Sequence, residues 1–254
     1  LCYKKLSMSK KNSSANLKKF LGDFKDFDKI YLNFKNKLNK LKKKTYVVAV
    51  SGGPDSLALV ALTKVYSLDK SSKFHYILVN HNIRENSSLE SKKVKLILKK
   101  KKINLKILNN NIKISANIQN QARILRYKMM VDYCQKNKVK TILTAHNLED
   151  QVETFFIRLS RGSGLKGLSS MRYSSNLENN VKLIRPLLDT KKKYLVKITE
   201  KMFGKYINDP SNLDKKFLRT KIRNLKSYLE KSGINYDQII KSIHNLASSN
   251  DILD

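Results

Sequence analysis

Tyr46-Val-Val-Ala-Val50 is a run without a polar face, which suits a strand covered on both sides. It stops at Ser51-Gly-Gly-Pro-Asp-Ser56, and an apolar stretch from Leu57 to Leu62 follows at once. A buried strand that turns through so short a polar loop into a buried helix opens a strand–helix–strand unit. The alternation continues. Strands are expected over 46–50, 74–79, 105–108 and 141–145, and helices over 55–68, 88–101, 118–136 and 148–159. Residues 183–187 read as a strand or extended segment, 191–203 as a helix and 173–180 as a polar loop. This order predicts an α/β fold, a Rossmann-like parallel sheet with helices on both faces. After Asp209-Pro-Ser-Asn212, helices over about 216–231 and 236–248 form a small helical C-terminal segment. The expected division is a basic helical extension over 1–44, a main domain over 45–212 and the helical segment over 213–254.

The net charge is +33, from 53 lysines and arginines against 20 acids. An anionic polymer, most simply nucleic acid, is one reading, because lysine stripes neutralise phosphates. A lysine- and asparagine-rich composition overall is the other. Only nine of the 53 cations are arginine, so an arginine here suggests a need for a planar fork or a fixed charge. Eight of the nine, Arg84, Arg123, Arg126, Arg158, Arg161, Arg185, Arg219 and Arg223, fall in or beside the motifs below. Cys2 and Cys134 form no CxxC and no metal-like cluster with the four histidines. The longest apolar runs fall far short of the roughly 20 residues that span a bilayer. With no secretory signal seen near the start, a soluble cytoplasmic protein is the expectation. From Leu17 to Leu41 apolar residues recur at loose helical spacing, as in an amphipathic helix that packs on the body or touches RNA.

In an open α/β sheet, ligands bind beyond the carboxyl ends of the strands. The polar residues expected there are Ser51–Ser56, Asn80 to Arg84 and His146. In the first loop, Gly52 and Gly53 permit positive φ and close backbone approach. Pro54 suits the first turn of a helix. The hydroxyls of Ser51 and Ser56 and the helix N-terminus offer donors to a phosphate. Asp55 repels phosphate directly but can meet it through Mg²⁺. A tight turn with a capping Ser or Asp is the plainer reading.

SGGPDS after VVAV resembles the SGGxDS loop of the PP-loop ATP pyrophosphatases. These enzymes cleave ATP between the α and β phosphates, hold pyrophosphate on this loop and pass AMP to a substrate oxygen. Further stretches resemble the tRNA(Ile)-lysidine synthetases of that superfamily. Val79-Asn-His-Asn-Ile-Arg84 is similar to their VDHxxR, with Asn80 in place of the usual Asp. Asn120-Gln-Ala-Arg123 to Arg126-Tyr127 resembles their AR..RY helix. Thr144-Ala-His-Asn-Leu-Glu-Asp-Gln-Val-Glu-Thr154, running to Gly167, resembles TAHxxDDQxET…RGSGxxGL, with Glu149 for the commoner Asp. Arg185-Pro-Leu-Leu188 and Asp209-Pro-Ser-Asn…Arg219…Ile222-Arg223 complete the match, from Tyr46 to Arg223.

The resemblance implies ATP-dependent joining of free L-lysine to C2 of the first anticodon cytidine of a tRNA(Ile) reading CAU. Asp55, Arg123, Asp150 and Glu153 are then the expected catalytic set. Ser51, Gly52, Gly53, Pro54, Asp55, Ser56, His81 and His146 would bind ATP, with Mg²⁺ on Asp55. Asp150 and Glu153 would hold lysine. Arg84, Arg126, Arg161, Lys166, Arg219 and Arg223 would meet tRNA. The residues fit but leave alternatives. His146, Asp150 and Glu153, at i, i+4 and i+7, share a helix face and can grip a cation. Equally, Asn147 can cap that helix, with Glu149 and Asp150 at its positive end. His81 and His146 can be hydrogen-bonded surface residues, and the paired arginines helix-surface charges. Arg161-Gly-Ser-Gly-Leu-Lys-Gly167 is either a helix C-cap or a mobile lid.

Longer members of the family carry C-terminal domains that grip tRNA. Either this is a compact form, or the basic N-terminal extension and the tail compensate, in which case removing residues 1–40 should weaken tRNA binding and spare ATP binding. The rival readings are a PP-loop tRNA thiolase, many of which use a CxxC pair or a metal cluster, and a non-catalytic RNA-binding protein on a degenerate scaffold. Oligomeric state is open, a homodimer included.

Overall fold

The computed structural model describes residues 26–83, 85–112, 118–208 and 218–253. The chain runs α1 (Phe27–Lys40), β1 (Thr45–Ala49), α2 (Pro54–Asp69), β2 (Lys73–Asn80), α3 (Ser87–Lys99), β3 (Leu105–Asn109), α4 (Ile118–Lys136), β4 (Thr141–Leu143) and α5 (Leu148–Leu159). It continues through α6 (Leu165–Leu168), β5 (Ser174–Asn176), β6 (Lys182–Ile184), α7 (Lys192–Phe203), α8 (Leu218–Asn224), α9 (Lys226–Lys231) and α10 (Tyr236–Leu253). The sheet order is β3-β2-β1-β4-β6-β5, parallel except for β5, which runs antiparallel beside β6. The α/β fold and its parallel sheet are as the alternation predicts.

The strand pleat divides the core. Tyr46, Val48 and Val50 point into a cluster with α1, α2 and α7, which includes Phe34, Leu38, Leu59, Leu62 and Ile198. Val47 and Ile142 point the other way, onto Met130, Val131 and Cys134 of α4. A third cluster joins Leu148 and Val152 of α5 to Tyr236, Ile239, Ile240 and Ile243 of α10. The C-terminal helices thus rest on α5. No described helix is long and apolar enough to cross a membrane.

The structure refines the expectation in three places. First, α1, expected as a helical extension that packs on the body or touches RNA, lies on the body. Phe27, Tyr31, Phe34 and Leu38 are buried in the main core, so of the two roles open to this helix it takes packing. Its polar side is tied down too: Lys37 Nζ donates to Asp189 (2.6 Å) and to the Pro186 carbonyl (3.0 Å). Removing residues 1–40 is therefore expected to cost core packing as well as any tRNA contact. Second, the polar stretch 173–180 is not all loop. Ser174–Asn176 pairs with β6, and Asn179 and Asn180 take left-handed backbone (φ 58 and 57), which asparagine tolerates. Third, the first C-terminal helix is interrupted at Leu225 between α8 and α9. Arg84, the N-terminal residues before Asp26 and the Asp209-Pro-Ser-Asn stretch lie outside the described residues.

The sequence of strands reverses direction about β1 and β4, so the crevice between their carboxyl ends is the topological switch point where such sheets bind ligands. The loop after β1 turns there through Gly52, at φ +89. A Cβ on Gly52 would lie 2.5 Å from Val94 Cγ2, and its carbonyl accepts from Ile207 N (2.9 Å). Gly52→Ala is expected to destabilise the fold by roughly 2–3 kcal/mol in chemical denaturation, from strain and contact together. Gly162→Ala, also at positive φ but with nothing within 4 Å, should cost only about 1 kcal/mol.

Candidate active site

One hydroxyl organises the loop. Ser56, buried on the first turn of α2, accepts from Ser51 N (3.2 Å), Gly52 N (3.1 Å) and the Ser51 hydroxyl (3.1 Å). It donates in turn to the Gly53 carbonyl (2.9 Å). Gly53 is the N-cap residue and supplies no side-chain cap, and Pro54 fills the first helical position. The opening amides of α2 are thereby left to an anion.

Among the described residues, three buried side-chain polar atoms have no hydrogen-bond partner: Asp55 Oδ1, His81 Nδ1 and Arg185 Nε. They follow β1, β2 and β6, so all three lie at the carboxyl rim of the sheet. Buried polar atoms are nearly always satisfied, so three exceptions along one rim mark groups with bonding capacity to spare. Burial, with Asp150 adding to it and Lys192 opposing it, raises the Asp55 carboxyl to about 6. Lys192 Nζ stands 3.8 Å from Asp55 Oδ2.

The rim is positive. His146, after β4, has Nδ1 3.0 Å from the Thr144 hydroxyl. Burial pushes its pKa down to about 3, helped by Arg185, Arg123, Arg219 and Arg126. Burial, then Arg126, pushes His81 down to about 4. Both imidazoles are neutral at physiological pH, beside arginines that stay charged. Such a site receives an anion. His81 is held by a network of asparagines. Asn80 Nδ2 donates to Asn82 Oδ1 (2.7 Å) and Ser88 Oγ (3.0 Å), and Asn110 Nδ2 donates to the His81 carbonyl (3.3 Å). An aspartate at position 80 would have no N–H for those bonds, which accounts locally for the asparagine.

Helix α5 begins with a capping box. Asp150 N donates to Asn147 Oδ1 (2.9 Å), and Asn147 N donates to Asp150 Oδ2 (3.1 Å). Asp150 Oδ1 is 3.5 Å from Arg219. Glu153, only 2% exposed, is doubly clamped. Arg223 donates from Nε (2.8 Å) and Nη2 (3.1 Å), and Arg219 from Nε (2.7 Å). Arg219 and Arg223, expected to face tRNA, supply the counter-charge that so buried a carboxylate requires, and both side chains stay partly open to solvent. The two carboxylates do share a face, but Asp150 serves as cap and Glu153 as anchor for α8.

Around the glycine loop, Arg158 Nη1 donates to the carbonyls of Gly167 (2.7 Å) and Ser170 (2.8 Å), while Arg161 and Lys166 are exposed. Gly162 closes α5 with positive φ, and Gly164 starts the short α6, which is the geometry of a helix C-cap. Arg123 is exposed on α4, its guanidinium 5.3 Å from the Tyr127 ring centroid, and Arg126 is half-buried one turn on. Sequence reasoning gave no site role to Arg185, whose rarity as an arginine was the available signal. It also passed over Lys192, which nothing in the sequence separates from its neighbours Lys191 and Lys193.

The PP-loop domain profile matches residues 27–227. This chain belongs to the PP-loop family. Membership supports ATP as the nucleotide of the site, and the matched span takes in α1. Among curated proteins, the PP-loop chain is similar to the tRNA(Ile)-lysidine synthase of Orientia tsutsugamushi, 42% identical over 179 residues, which is 70% of this chain and 40% of that protein. The protein of the same name from Wolbachia pipientis is 43% identical over 183 residues, 70% of this chain and 42% of the relative. That from Rickettsia typhi is 37% identical, over 78% of this chain and 46% of the relative. The chain thus spans less than half the length of these relatives. Among solved structures, the U34-tRNA thiolase NcsA from Methanococcus maripaludis with its 4Fe-4S cluster superposes with a TM-score of 0.71. It is 20% identical, over 87% of this chain and 79% of that one, and shows the shared fold.

Two outcomes are expected. Glu153→Gln leaves two arginines facing a neutral amide. It should lower stability by about 2 kcal/mol, less than for a fully buried pair because both arginines reach solvent. Hydrogen exchange should quicken first in 218–253. The histidines set a pH dependence. The unfolded imidazoles take up protons near pH 6.5, whereas the folded ones do so only at about 4 and 3. Stability should therefore fall as the pH drops from 6.5 toward 4, and less steeply in His146→Gln. An NMR titration showing His146 protonating near 6.5 would contradict this.

Proposed function

We propose that this chain is the ATP- and lysine-using domain of a tRNA(Ile)-lysidine synthetase. One observation carries the reading. A phosphate-type loop and a carboxylate-bearing helix meet at the β1–β4 crevice, with Asp55 Oδ1 left without a partner. The names and 42–43% identity of the curated relatives support it.

ATP would lie with its phosphates against the amides of Gly53, Asp55 and Ser56 at the N-terminus of α2, with His81 and His146 lining the site. The C2 oxygen of the first anticodon cytidine attacks the α-phosphorus, and pyrophosphate leaves. The amine of free lysine then attacks C2 and displaces AMP, giving lysidine. Adenylation turns a poor leaving oxygen into a good one. Asp55 fits Mg²⁺, a hard ion that takes carboxylate oxygens and supplies neutralisation of the polyphosphate charge when bound. Arg123, exposed and close enough to lower the His146 pKa, stabilises charge at the transferring phosphate. Asp150 and Glu153 orient the lysine ammonium, for which Arg219 and Arg223 must release part of their hold.

The exposed cations Arg161 and Lys166, with Arg84 and Arg126, are the proposed tRNA contacts. An anticodon loop offers the cytidine in single-stranded form, as such chemistry requires. A tRNA substrate places the work in the cytoplasm.

The test is incorporation of labelled lysine into a tRNA(Ile) transcript with a CAU anticodon, with ATP and Mg²⁺, beside a tRNA(Met) of the same anticodon. Label is expected in the isoleucine transcript alone. Asp55→Ala should reduce it by about 100-fold or more. ATP cleavage to AMP and pyrophosphate without label would discard lysine as the nucleophile. Neither product would leave the RNA-binding reading.

A further inference from the structure

Three helices start at the crevice: α2, α5 and α7. Helix α7 and the turn before it are docked there by two hydrogen bonds. The Thr199 hydroxyl donates to the Pro54 carbonyl at the start of α2 (2.6 Å), and Leu148 N donates to the Thr190 carbonyl (3.1 Å). Its N-cap residue, Lys191, makes no side-chain cap. Glu149 of α5 supplies one instead, its Oε2 accepting from the backbone N of Lys192 (2.8 Å).

The three consecutive lysines at this helix start have separate fates. Lys191 pairs with Asp237 (2.7 Å). Lys193 is exposed and lies 5.0 Å from the Tyr194 ring centroid. Lys192 alone turns to the phosphate loop, its ammonium 3.8 Å from Asp55 Oδ2 and still partly open to solvent. At that distance it is a neighbouring charge and not a hydrogen-bonded partner.

We propose that Lys192 is a further ATP-contacting residue, whose ammonium binds the β- and γ-phosphoryl oxygens, and that Glu149 is its positioning residue. The argument is one of charge and geometry. A loop that binds polyphosphate with backbone amides carries no cation of its own between Ser51 and Ser56. Its only ionised side chain is an acid. Lys192, brought in from α7, supplies the missing positive charge beside that acid, and an ammonium on a flexible stem can swing from a carboxylate to a phosphate. Glu149 fixes the backbone from which that stem projects.

This inference rests on the ATP reading, so the experiment separates the two. Equilibrium binding of ATP and of AMP, each with Mg²⁺ and without tRNA, is compared in the wild type and in Lys192→Met, Lys192→Arg and Lys193→Met, all checked for an unchanged melting temperature. Lys192→Met should weaken ATP tenfold or more and leave AMP within about twofold, because AMP lacks the β and γ phosphates. Lys192→Arg should keep most of the ATP affinity, and Lys193→Met all of it. Glu149→Ala should weaken ATP in the same direction, add nothing to Lys192→Met, and be rescued in large part by Glu149→Asp. Equal ATP affinity in Lys192→Met and wild type would overturn the inference and spare the ATP reading, as would equal loss for AMP. A wild type that binds no ATP would overturn both.

Discussion

The hydroxyl of Ser56 is the point on which the crevice depends. It sits where the strand has ended and the helix has just begun, and it gathers two backbone amides, one hydroxyl and one carbonyl into a single centre. That arrangement fixes the left-handed turn at Gly52, and the turn in turn brings its carbonyl onto Ile207 and its α-carbon against Val94. Segments far apart in the chain are held at the loop by this contact. A loop so constrained meets its ligand without reorganising, which is the condition for strong electrostatic stabilisation of charge that develops during reaction.

Around that fixed loop the charges are sorted by depth. Histidines stay neutral because burial and the neighbouring arginines both oppose a proton. The acids of α5 are each engaged by a cap, a helix start or a pair of guanidinium groups. The pair on Glu153 also carries α8, so the carboxylate expected to meet substrate doubles as the attachment of the C-terminal helices. Where an acid or two carbonyls must be satisfied at once, as at Glu153 and beside Gly167 and Ser170, the planar fork of arginine does it.

Much of this was legible in the sequence. The alternation of apolar runs gave the sheet and its helices, because strands buried on both faces leave no other pattern. The loop Ser51–Ser56 and its position after the first strand were also readable, since glycine pairs and a helix-start proline have local causes. Side-chain direction was not. Arg219 and Arg223 look like any surface i, i+4 pair until α8 is docked on α5. Lys192 is indistinguishable from Lys191 and Lys193 until α7 is placed. Packing of α1 on the body was one of the readings its spacing allowed, but loose helical spacing does not say which surface the apolar face meets.

Helix α1 has a consequence for how the molecule is made. Its apolar stripe is among the first parts of the domain to be synthesised. Its polar anchors, Pro186 and Asp189, lie 149 to 156 residues further along. The stripe itself meets α2 much sooner: Phe34 stands edge-on to Tyr66, and the Tyr31 hydroxyl donates to Asp69. The helix is therefore fastened on two scales, its apolar face by neighbours close in the chain and its polar face by anchors that emerge only after most of the sheet.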